Sequence, residues 1–264
     1  TLTLLRKEDP TFTWKVDKET GQTLMSGMGM LHLEIKQHRM ERDFHLKIRV
    51  GKPRVSYRET LRRPIEVEGD CRGRAATAHL FAKLRVQLEP TQGEQPVQVT
   101  SRLGPEELPE HYVAAAEQGI RNALESGELG YPVMNVRATI VGGQMDEQLS
   151  SEAAFATAGM DAVHRAMQDN IVLLEPWMKL QVQVPPEYVG AVISDIGGRR
   201  GEVTRADTEE RVVEGVVPLA QMFDYADKVR SISQGRAAST MEPYAYKPAP
   251  DDVLRGLLGS DDGY

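Results

Sequence analysis

The chain has 264 residues, 40% of them hydrophobic and 27% charged, and this balance is typical of a globular protein with two or three domains. Its formal net charge of −7 argues against a protein that coats nucleic acid over its whole surface, so we expect any RNA contact to be local. The single cysteine, Cys71, excludes an internal disulfide framework. No apolar run approaches the ~20 residues of a membrane helix and no basic-then-apolar leader opens the sequence, so we expect a cytoplasmic protein without membrane association.

Residues 1–53 are predicted to form a small α+β unit. Its predicted elements are an opening helix that ends at Pro10, strands at 12–16 and 22–26, a helix from the glycine-rich turn at 27–29 to Arg42, and a strand at 45–50. Because the chain opens inside a helix without a capping signal, we expect this unit to be the remainder of a larger one.

Residues 54–174 are predicted to form a second unit with longer strands. Its predicted elements are strands at 55–67, 79–88, 96–103 and 132–141, a polar loop at 69–77, a helix between Pro109 and Gly127, and a last helix after Ser150.

The last strand and helix of this unit are the stretch that we expect to meet a target. In the strand, one predicted face carries Met134, Val136, Ala138 and Ile140, and the other carries Asn135, Arg137 and Thr139. The pair Gly142 and Gly143 is predicted to stop the strand, and Ser150 to cap the helix. The helix has a narrow apolar stripe of small residues and one aromatic, which lets it lie close to a sheet: Phe155, Ala158, Ala162 and Ala166. On local pattern alone, this is also an ordinary strand-loop-helix connection.

Residues 175–247 are predicted to form a third unit, after a boundary at 171–176. The predicted order is a strand at 177–185, a helix at 186–196, strands at 202–207 and 211–217, a helix at 219–229 and a strand at 237–246. This β-α-β-β-α-β order is that of a ferredoxin-like domain. The tail at 248–264 has one short apolar piece at 253–258, so it is either frayed or docked by that piece.

A series of short motifs then resembles the C-terminal half of elongation factor G, in the order of that family and over nearly the whole chain. They are G-M-G-M-L-H-L-E-I (27–35), G-K-P-R-V-S-Y-R-E-T (51–60), S-S-E-A-A-F (150–155), L-L-E-P-W-M (173–178), P-P-E-Y-V-G (185–190), G-G-R-R-G (197–201), V-P-L-A-Q-M-F-D-Y (217–225) and R-S-I-S-Q-G-R (230–236).

The resemblance implies an α+β chain of three domains: a truncated ferredoxin-like third domain at 1–53, a ribosomal-protein-S-five-like fourth domain at 54–174, and a ferredoxin-like fifth domain at 175–247. It implies a left-handed β-α-β crossover in the fourth domain, an exception to the usual handedness. It further implies a monomer whose partners are the ribosome, with its RNA and proteins, transfer RNA and messenger RNA at the decoding site, and the factor's own N-terminal G domain.

The resemblance also implies where the RNA contacts lie. Two loops that match 69–77 and 142–151 would form the tip of the fourth domain, beside transfer RNA and messenger RNA. The implied contact residues are Arg72, Gly73 and Arg74 in the first loop, Gly142, Gly143, Asp146, Ser150 and Ser151 in the second, and Arg199, Arg200 and Arg236 in the fifth domain.

This chain departs from the family pattern at the tip. The family's first loop reads Q-S-G-G-R-G-Q, whereas residues 70–76 here read D-C-R-G-R-A-A. In the second loop, Asp146 stands where the family has histidine, and Leu149 stands where it has aspartate. Met30 replaces a glutamate near the glycine-rich turn.

We expect neither catalysis nor a cofactor in this chain. The phosphate-loop frame is absent, since Gly51-Lys52-Pro53 lacks the required spacing and Pro53 removes an amide donor, and no guanine-reading N-K-x-D is present. GTP and Mg²⁺ would therefore belong to an N-terminal G domain outside this sequence.

Three interpretations remain open from the sequence. The first is a module that promotes translocation of transfer RNA and messenger RNA. The second is a divergent paralogue that acts in ribosome recycling or ribosome protection, which the rewritten tip favours. The third is a small-molecule enzyme that uses the carboxylates Asp146, Glu147 and Glu152, although no histidine or nucleophile stands at a matching spacing.

Overall fold

The computed structural model describes residues 1–18, 20–75, 78–92 and 96–259, and at residues 73–75, 78–79 and 258–259 it describes the backbone only. The chain is of the α+β class and divides into two compact units. One unit contains residues 1–56 and 175–245, and the other contains residues 57–174 and the segment from Tyr246 onward. Within the described residues, no helix is both long and apolar enough to span a membrane.

The N-terminal part of the first unit has two helices and one hairpin. Its elements are α1 (Leu2–Glu8), β1 (Thr13–Val16), β2 (Thr23–Ser26), which pairs antiparallel with β1, and α2 (Met30–Phe44). Leu5, Phe12 and Met40 form its small core. The strand predicted at 45–50 is wrong. His45 ends α2 in a left-handed conformation (φ 52°), and the described backbone that follows has no strand partner there.

The second unit is built on a four-stranded sheet. Its elements are β3 (Arg58–Leu61), β4 (Ile65–Ala75), β5 (Ala78–Pro90), β6 (Gln98–Ser101), α3 (Glu110–Glu125), β7 (Val136–Gln144) and α4 (Glu152–Met167). The sheet order is β4-β5-β7-β6, with β6 parallel to β7 and the other neighbours antiparallel. Side chains of β4, β5, β7, α3 and α4 share one hydrophobic core.

Helix α4 lies very close to the sheet and to α3, as its small residues predict. A Cβ atom at Gly69 of β4 would lie 2.1 Å from the carbonyl oxygen of Ala158, and one at Gly119 of α3 would lie 2.1 Å from that of Ala156. All four residues of the predicted apolar stripe are fully buried, which confirms the stripe: Phe155, Ala158, Ala162 and Ala166. Such close packing fixes α4 firmly on its support.

Two strand boundaries of this unit differ from the predicted ones. The predicted strand at 55–67 is two strands, β3 and β4, with a break at 62–64. The predicted polar loop at 69–77 is instead strand as far as Ala75, because residues 65–75 pair one by one with β5. The polar content is misleading here: Gly69 and Cys71 are buried against α4, while the charged residues that alternate with them, Asp70 and Arg72, stand on the opposite face.

Strand β7 also runs further than predicted. Val136, Ala138 and Ile140 are buried as expected, but Thr139 is buried as well. Gly142 and Gly143 do not stop the strand: both stay paired with β5. Arg85 pairs with Gly142 and Val86 with Ile140, so Val141 is an extra residue on β7 at this register shift.

The C-terminal region adds β8 (Ile171–Gln183), α5 (Pro186–Gly198), β9 (Glu202–Asp207), β10 (Val212–Pro218), α6 (Tyr225–Ile232), β11 (Ala238–Pro248) and α7 (Asp251–Gly259). The strand order β11-β8-β10-β9 with two helices confirms the predicted ferredoxin-like arrangement. The predicted boundary at 171–176 agrees with the division of the two units between Leu174 and Glu175, although strand β8 is continuous through it. The helix predicted at 219–229 is wrong in its first half, which is a 3₁₀ turn at Leu219–Gln221 before α6. In the tail, the apolar piece at 253–258 lies within α7, and residues 260–264 lie outside the described part.

Candidate functional site

The first predicted contact segment lies on β4. The Arg72 side chain is 60% exposed, with its Nε 3.0 Å from an Asp70 carboxylate oxygen and its guanidinium carbon 6.0 Å from the centre of the Phe81 ring. Gly73 and Arg74 pair through their backbone with Leu80 and His79 of β5. The side chain of Arg74, like the whole of residues 76 and 77, lies outside the described structure. In the described part of this segment, the cationic side chain that solvent can reach is therefore that of Arg72.

The second predicted segment is a closed turn at the end of β7. The Asp146 carboxylate accepts hydrogen bonds from the amides of Gln148, at 2.9 Å, and Leu149, at 3.0 Å. The Asp146 amide donates to the Ser150 hydroxyl at 2.9 Å, and the Ser150 amide donates to the Asp146 carbonyl at 3.0 Å. The Asp146 carboxylate thus holds its own turn together, in the manner of an Asx turn.

The two adjacent serines, Ser150 and Ser151, have different hydrogen-bonding roles. Ser151, not Ser150, is the N-cap of α4, and its hydroxyl accepts the Ala154 amide at 3.2 Å. The prediction that Ser150 caps the helix is wrong by one residue, because both serines are good caps by type and only the backbone geometry selects between them. The Ser150 hydroxyl instead donates to the Phe81 carbonyl on β5 at 2.8 Å.

Strand β5 brings the two segments together. It pairs with β4 along one edge, where Arg72 faces Phe81, and with β7 along the other, where Arg85 faces Gly142 and Lys83 faces Gln144. Arg72, Asp146 and Ser150 therefore belong to one end of the second unit. Both glycines are in tight surroundings: a Cβ at Gly142 would lie 3.1 Å from the Arg85 guanidinium, and one at Gly143 would lie 3.2 Å from a Leu108 methyl carbon.

The open face beside this end carries charges that sequence reasoning did not single out. Lys83 pairs with Glu68, and Arg85 lies 3.5 Å from Glu66, each across the β4–β5 ladder. The hydrogen bond from Lys83 lowers the pKa of the Glu68 carboxyl. The signal that could have found these pairs is the alternation of charge along two adjacent strands. The pairs leave Arg72 more available to an anion than Lys83, whose side chain is only 20% exposed.

The predicted RNA-contacting arginines of the first unit differ in exposure. Arg199 is 12% exposed, donates to Asp195 at 2.8 Å and Asp224 at 2.7 Å, and lies 5.2 Å above the Tyr225 ring. Its guanidinium lowers the pKa of the Asp224 carboxyl. Arg199 is thus mostly used inside the unit.

Arg200 and Arg236 complete this predicted set. Arg200 forms two hydrogen bonds with the buried carboxylate of Glu175, at 2.7 and 3.0 Å. Arg236 is half exposed, lies 4.8 Å over the Tyr188 ring and pairs with Glu187 at 3.0 Å. Of the three arginines, Arg236 presents the largest part of its side chain to solvent.

A further charged network in the first unit escaped sequence reasoning. Asp9 accepts from Lys36 at 2.6 Å and pairs with His32 Nε2 at 2.8 Å, and these bonds hold the Asp9 pKa well below its usual range. The other ring nitrogen of His32 accepts the Met28 amide at 3.1 Å, and Arg230 donates to the Met28 carbonyl at 2.6 Å. The spacing of His32 and Lys36 on one helix face was the available signal.

Two kinds of binding site, a metal cluster and a groove, are relevant to the described residues. No group of three or more His, Cys, Asp or Glu side chains within them could hold a metal ion. A groove of about 430 Å³ in the second unit is lined by polar and charged side chains with one isoleucine: Arg62, Glu128, Gln168, Asp169 and Ile171. The carboxylate of Asp146 already accepts two backbone amides. The end of the second unit that carries Arg72 and the turn at 146–150 can therefore bind a partner through its shape, its charge and its hydrogen-bonding groups.

Comparison with protein-family models matches consecutive parts of the chain. Residues 1–52 match elongation factor G domain III, residues 53–170 match elongation factor G domain IV, and residues 172–257 match the elongation factor G C-terminus. The chain belongs to the elongation factor G family. It corresponds to the C-terminal part of such a translation elongation factor.

Individual relatives agree with this assignment. The chain is 42% identical over 262 residues to elongation factor G of Pseudothermotoga lettingae and 40% identical over 258 residues to that of Fervidobacterium nodosum. These matches take in 96% of the chain but only 38% and 37% of the relatives, so the chain spans less than two fifths of their length. A crystal structure of a Thermus thermophilus protein superposes on all of this chain and on 40% of its own, with a TM-score of 0.83 and 31% identity.

Proposed function

We propose that this chain is the ribosome-engaging part of an elongation factor G, which promotes translocation of transfer RNA and messenger RNA. The observation that carries the proposal is the end of the second unit, where exposed Arg72 and the closed turn at 146–150 lie on either side of β5. A surface built in advance in this way loses little conformational freedom when it binds.

In this proposal the chain works as a rigid strut and makes or breaks no covalent bond. The close packing of Gly69 and Gly119 against α4 stiffens the second unit, so a force applied to the unit reaches its tip. Arg72 contributes an electrostatic contact to RNA phosphates at the decoding site, and Arg236 a similar contact to ribosomal RNA. The factor acts as a monomer in the cytoplasm.

GTP binding and hydrolysis are assigned to an N-terminal G domain, which is also a partner of this chain. No GTP or Mg²⁺ is expected on residues 1–264 themselves. Titration calorimetry of the purified chain with GTP tests this assignment, and measurable affinity would overturn it.

The test of translocation uses the full-length factor and pre-translocation ribosomes. Replacing residues 145–149 by a glycine-serine segment of equal length removes the turn and keeps the strand and helix that flank it. We expect single-turnover translocation to slow at least tenfold, with GTP hydrolysis on the ribosome retained. Translocation at the wild-type rate would exclude the role proposed for the tip.

A second candidate function, in ribosome recycling or ribosome protection, is favoured by one observation. Asp146 and Leu149 replace the family's polar tip residues, and Leu149 is 36% exposed at the end of the turn. A ribosome-splitting assay with the recycling factor, and a drug-protection assay, distinguish these functions from translocation. Activity in either assay together with slow translocation would favour the second candidate.

A further inference from the structure

The hydroxyl of Ser150 makes two hydrogen bonds in opposite senses. It accepts the Asp146 amide at 2.9 Å, which closes the turn, and it donates to the Phe81 carbonyl at 2.8 Å, which ties the turn to β5. A hydroxyl is the smallest side-chain group that can donate and accept at once. Alanine at this position would break both bonds together.

The backbone next to Ser150 is also hydrogen-bonded to Phe81 of β5. The Phe81 amide donates to the Leu149 carbonyl at 3.0 Å, so both polar groups of Phe81 on that edge are bound by the turn. The regular pairing of β5 with β7 starts only at Lys83 and Gln144. Beyond the end of β7, the turn therefore supplies the hydrogen-bond partners for this edge of β5.

Phe81 also reaches the first contact segment. It is paired with Arg72 across the β4–β5 ladder, and the Arg72 guanidinium lies over its ring. Phe81 is thus placed between Arg72 and Ser150. If the hydrogen bonds between the turn and β5 change, the position of Phe81 should change, and with it the ring that Arg72 contacts.

A third support fixes the turn from the helix side. The Tyr112 hydroxyl of α3 donates to the Ser150 carbonyl at 3.4 Å. The Tyr112 ring stacks on Phe155 of α4, with centres 4.7 Å apart. Ser150 consequently lies where the turn, β5 and both helices meet.

We propose that Ser150 is a positioning residue that couples the β4 segment carrying Arg72 to the turn at 146–150, so that the two present one contact surface. The coupling is a property of the chain alone. Its consequence for translocation rests on the function proposed above, and the two are tested by different measurements.

The coupling is tested by amide hydrogen exchange on the whole chain. In Ser150→Ala, the amides of Asp146 and Phe81 should exchange about tenfold faster, because the first amide loses its acceptor and the second sits on an edge that is held less firmly. Ser151→Ala is the matched control, because it removes a neighbouring hydroxyl whose hydrogen bond within the described residues is to the Ala154 amide at the start of α4. It should leave the amides of Asp146 and Phe81 unchanged.

Ser150→Thr keeps the hydroxyl and should restore slow exchange. The coupling is overturned if Ser150→Ala leaves both amides at the wild-type rate, or if Ser151→Ala loosens them to the same degree.

The functional consequence is tested with Ser150→Ala, Arg72→Ala and the double variant in the full-length factor. If the residues act through one surface, each single change should slow translocation several-fold, and the double change should slow it by less than the product of the two. Fast exchange combined with wild-type translocation in all three variants would leave the coupling standing and exclude the proposed role of the tip. Multiplicative effects in the double variant would show that the two segments act independently and would overturn the single surface.

Discussion

Arg200 donates two hydrogen bonds, of 2.7 and 3.0 Å, to the carboxylate of Glu175, whose side chain is 1% exposed. The carboxylate is buried in the first unit, so removing its partner leaves an uncompensated charge there. Arg200 also has a left-handed backbone, with φ 62°. The residue that the family resemblance assigns to RNA contact thus has a structural task of its own.

Arg200→Ala is therefore expected to lower the free energy of unfolding by about 2–3 kcal/mol. Alanine has a Cβ, as arginine does, so the strain of the positive φ is similar in both proteins. Urea unfolding measures the change. Arg205→Ala is the control, because Arg205 forms solvent-exposed pairs with Asp207 and Glu210, and exposed ion pairs contribute little to stability. Equal stability of the two variants would contradict the structural role of Arg200.

The buried carboxyl of Glu59 gives a prediction about pH. One of its oxygens accepts the amides of Leu129, at 3.0 Å, and Tyr131, at 2.9 Å, and burial raises the pKa of the group. A raised pKa in the folded state means that Glu59 stabilises the fold most below its unfolded pKa of about 4.3, and that this contribution is lost as pH rises through the folded pKa.

We expect Glu59→Gln to flatten this dependence, since its amide oxygen can still accept the two backbone amides. Relative to wild type, the variant should gain stability as pH rises from about 4.5 to 7, at about 1.4 kcal/mol for each unit by which the pKa is raised. Urea unfolding at several pH values measures the difference. A difference that stays constant over this range would show that Glu59 has the same pKa in both states.

The salt dependence of ribosome association should distinguish arginines that contact RNA from arginines that stabilise the fold. Arg72 and Arg236 expose half or more of their side chains, whereas Arg199 exposes 12%. Arg72→Ala and Arg236→Ala in the full-length factor should each reduce the slope of log affinity against log salt by about one unit for every RNA phosphate that the arginine neutralises. Arg199→Ala should mainly reduce stability and leave the slope unchanged. The assignment fails if Arg199→Ala flattens the slope and Arg236→Ala does not.

The sequence predicts features that depend on one continuous segment better than features that depend on contacts between distant residues. The β-α-β-β-α-β order and the buried stripe of α4 are read from periodicity within one segment, and both are present. The partner of Arg199 at Asp224 lies 25 positions away, so no local pattern shows it. The strand at Gly69 and Cys71 was missed because its polar residues face away from the helices, which only the pairing with β5 reveals. Ser150 and Ser151 are identical by type, and geometry alone distinguishes them.

The last prediction concerns Asp146. Its carboxylate does two things at once: it accepts the amides of Gln148 and Leu149, and it places a negative charge at the tip. Histidine at this position would remove the charge but also the two-bond cap, so Asp146→His changes both together. Asp146→Asn separates them, because the amide oxygen can keep the cap while the charge disappears.

If the tip approaches RNA phosphates, two like charges about 6 Å apart at an effective dielectric near 40 cost on the order of 1 kcal/mol. Asp146→Asn should then speed single-turnover translocation several-fold at limiting factor concentration, whereas Asp146→Ala, which loses charge and cap, should gain less or slow down. Asp146→His should fall between them, because it regains a donor for the phosphate and loses the cap. Should Asn leave the rate unchanged while Ala slows it, the cap is what matters and the charge faces solvent, and the carboxylate does not take the position of the family's histidine beside RNA.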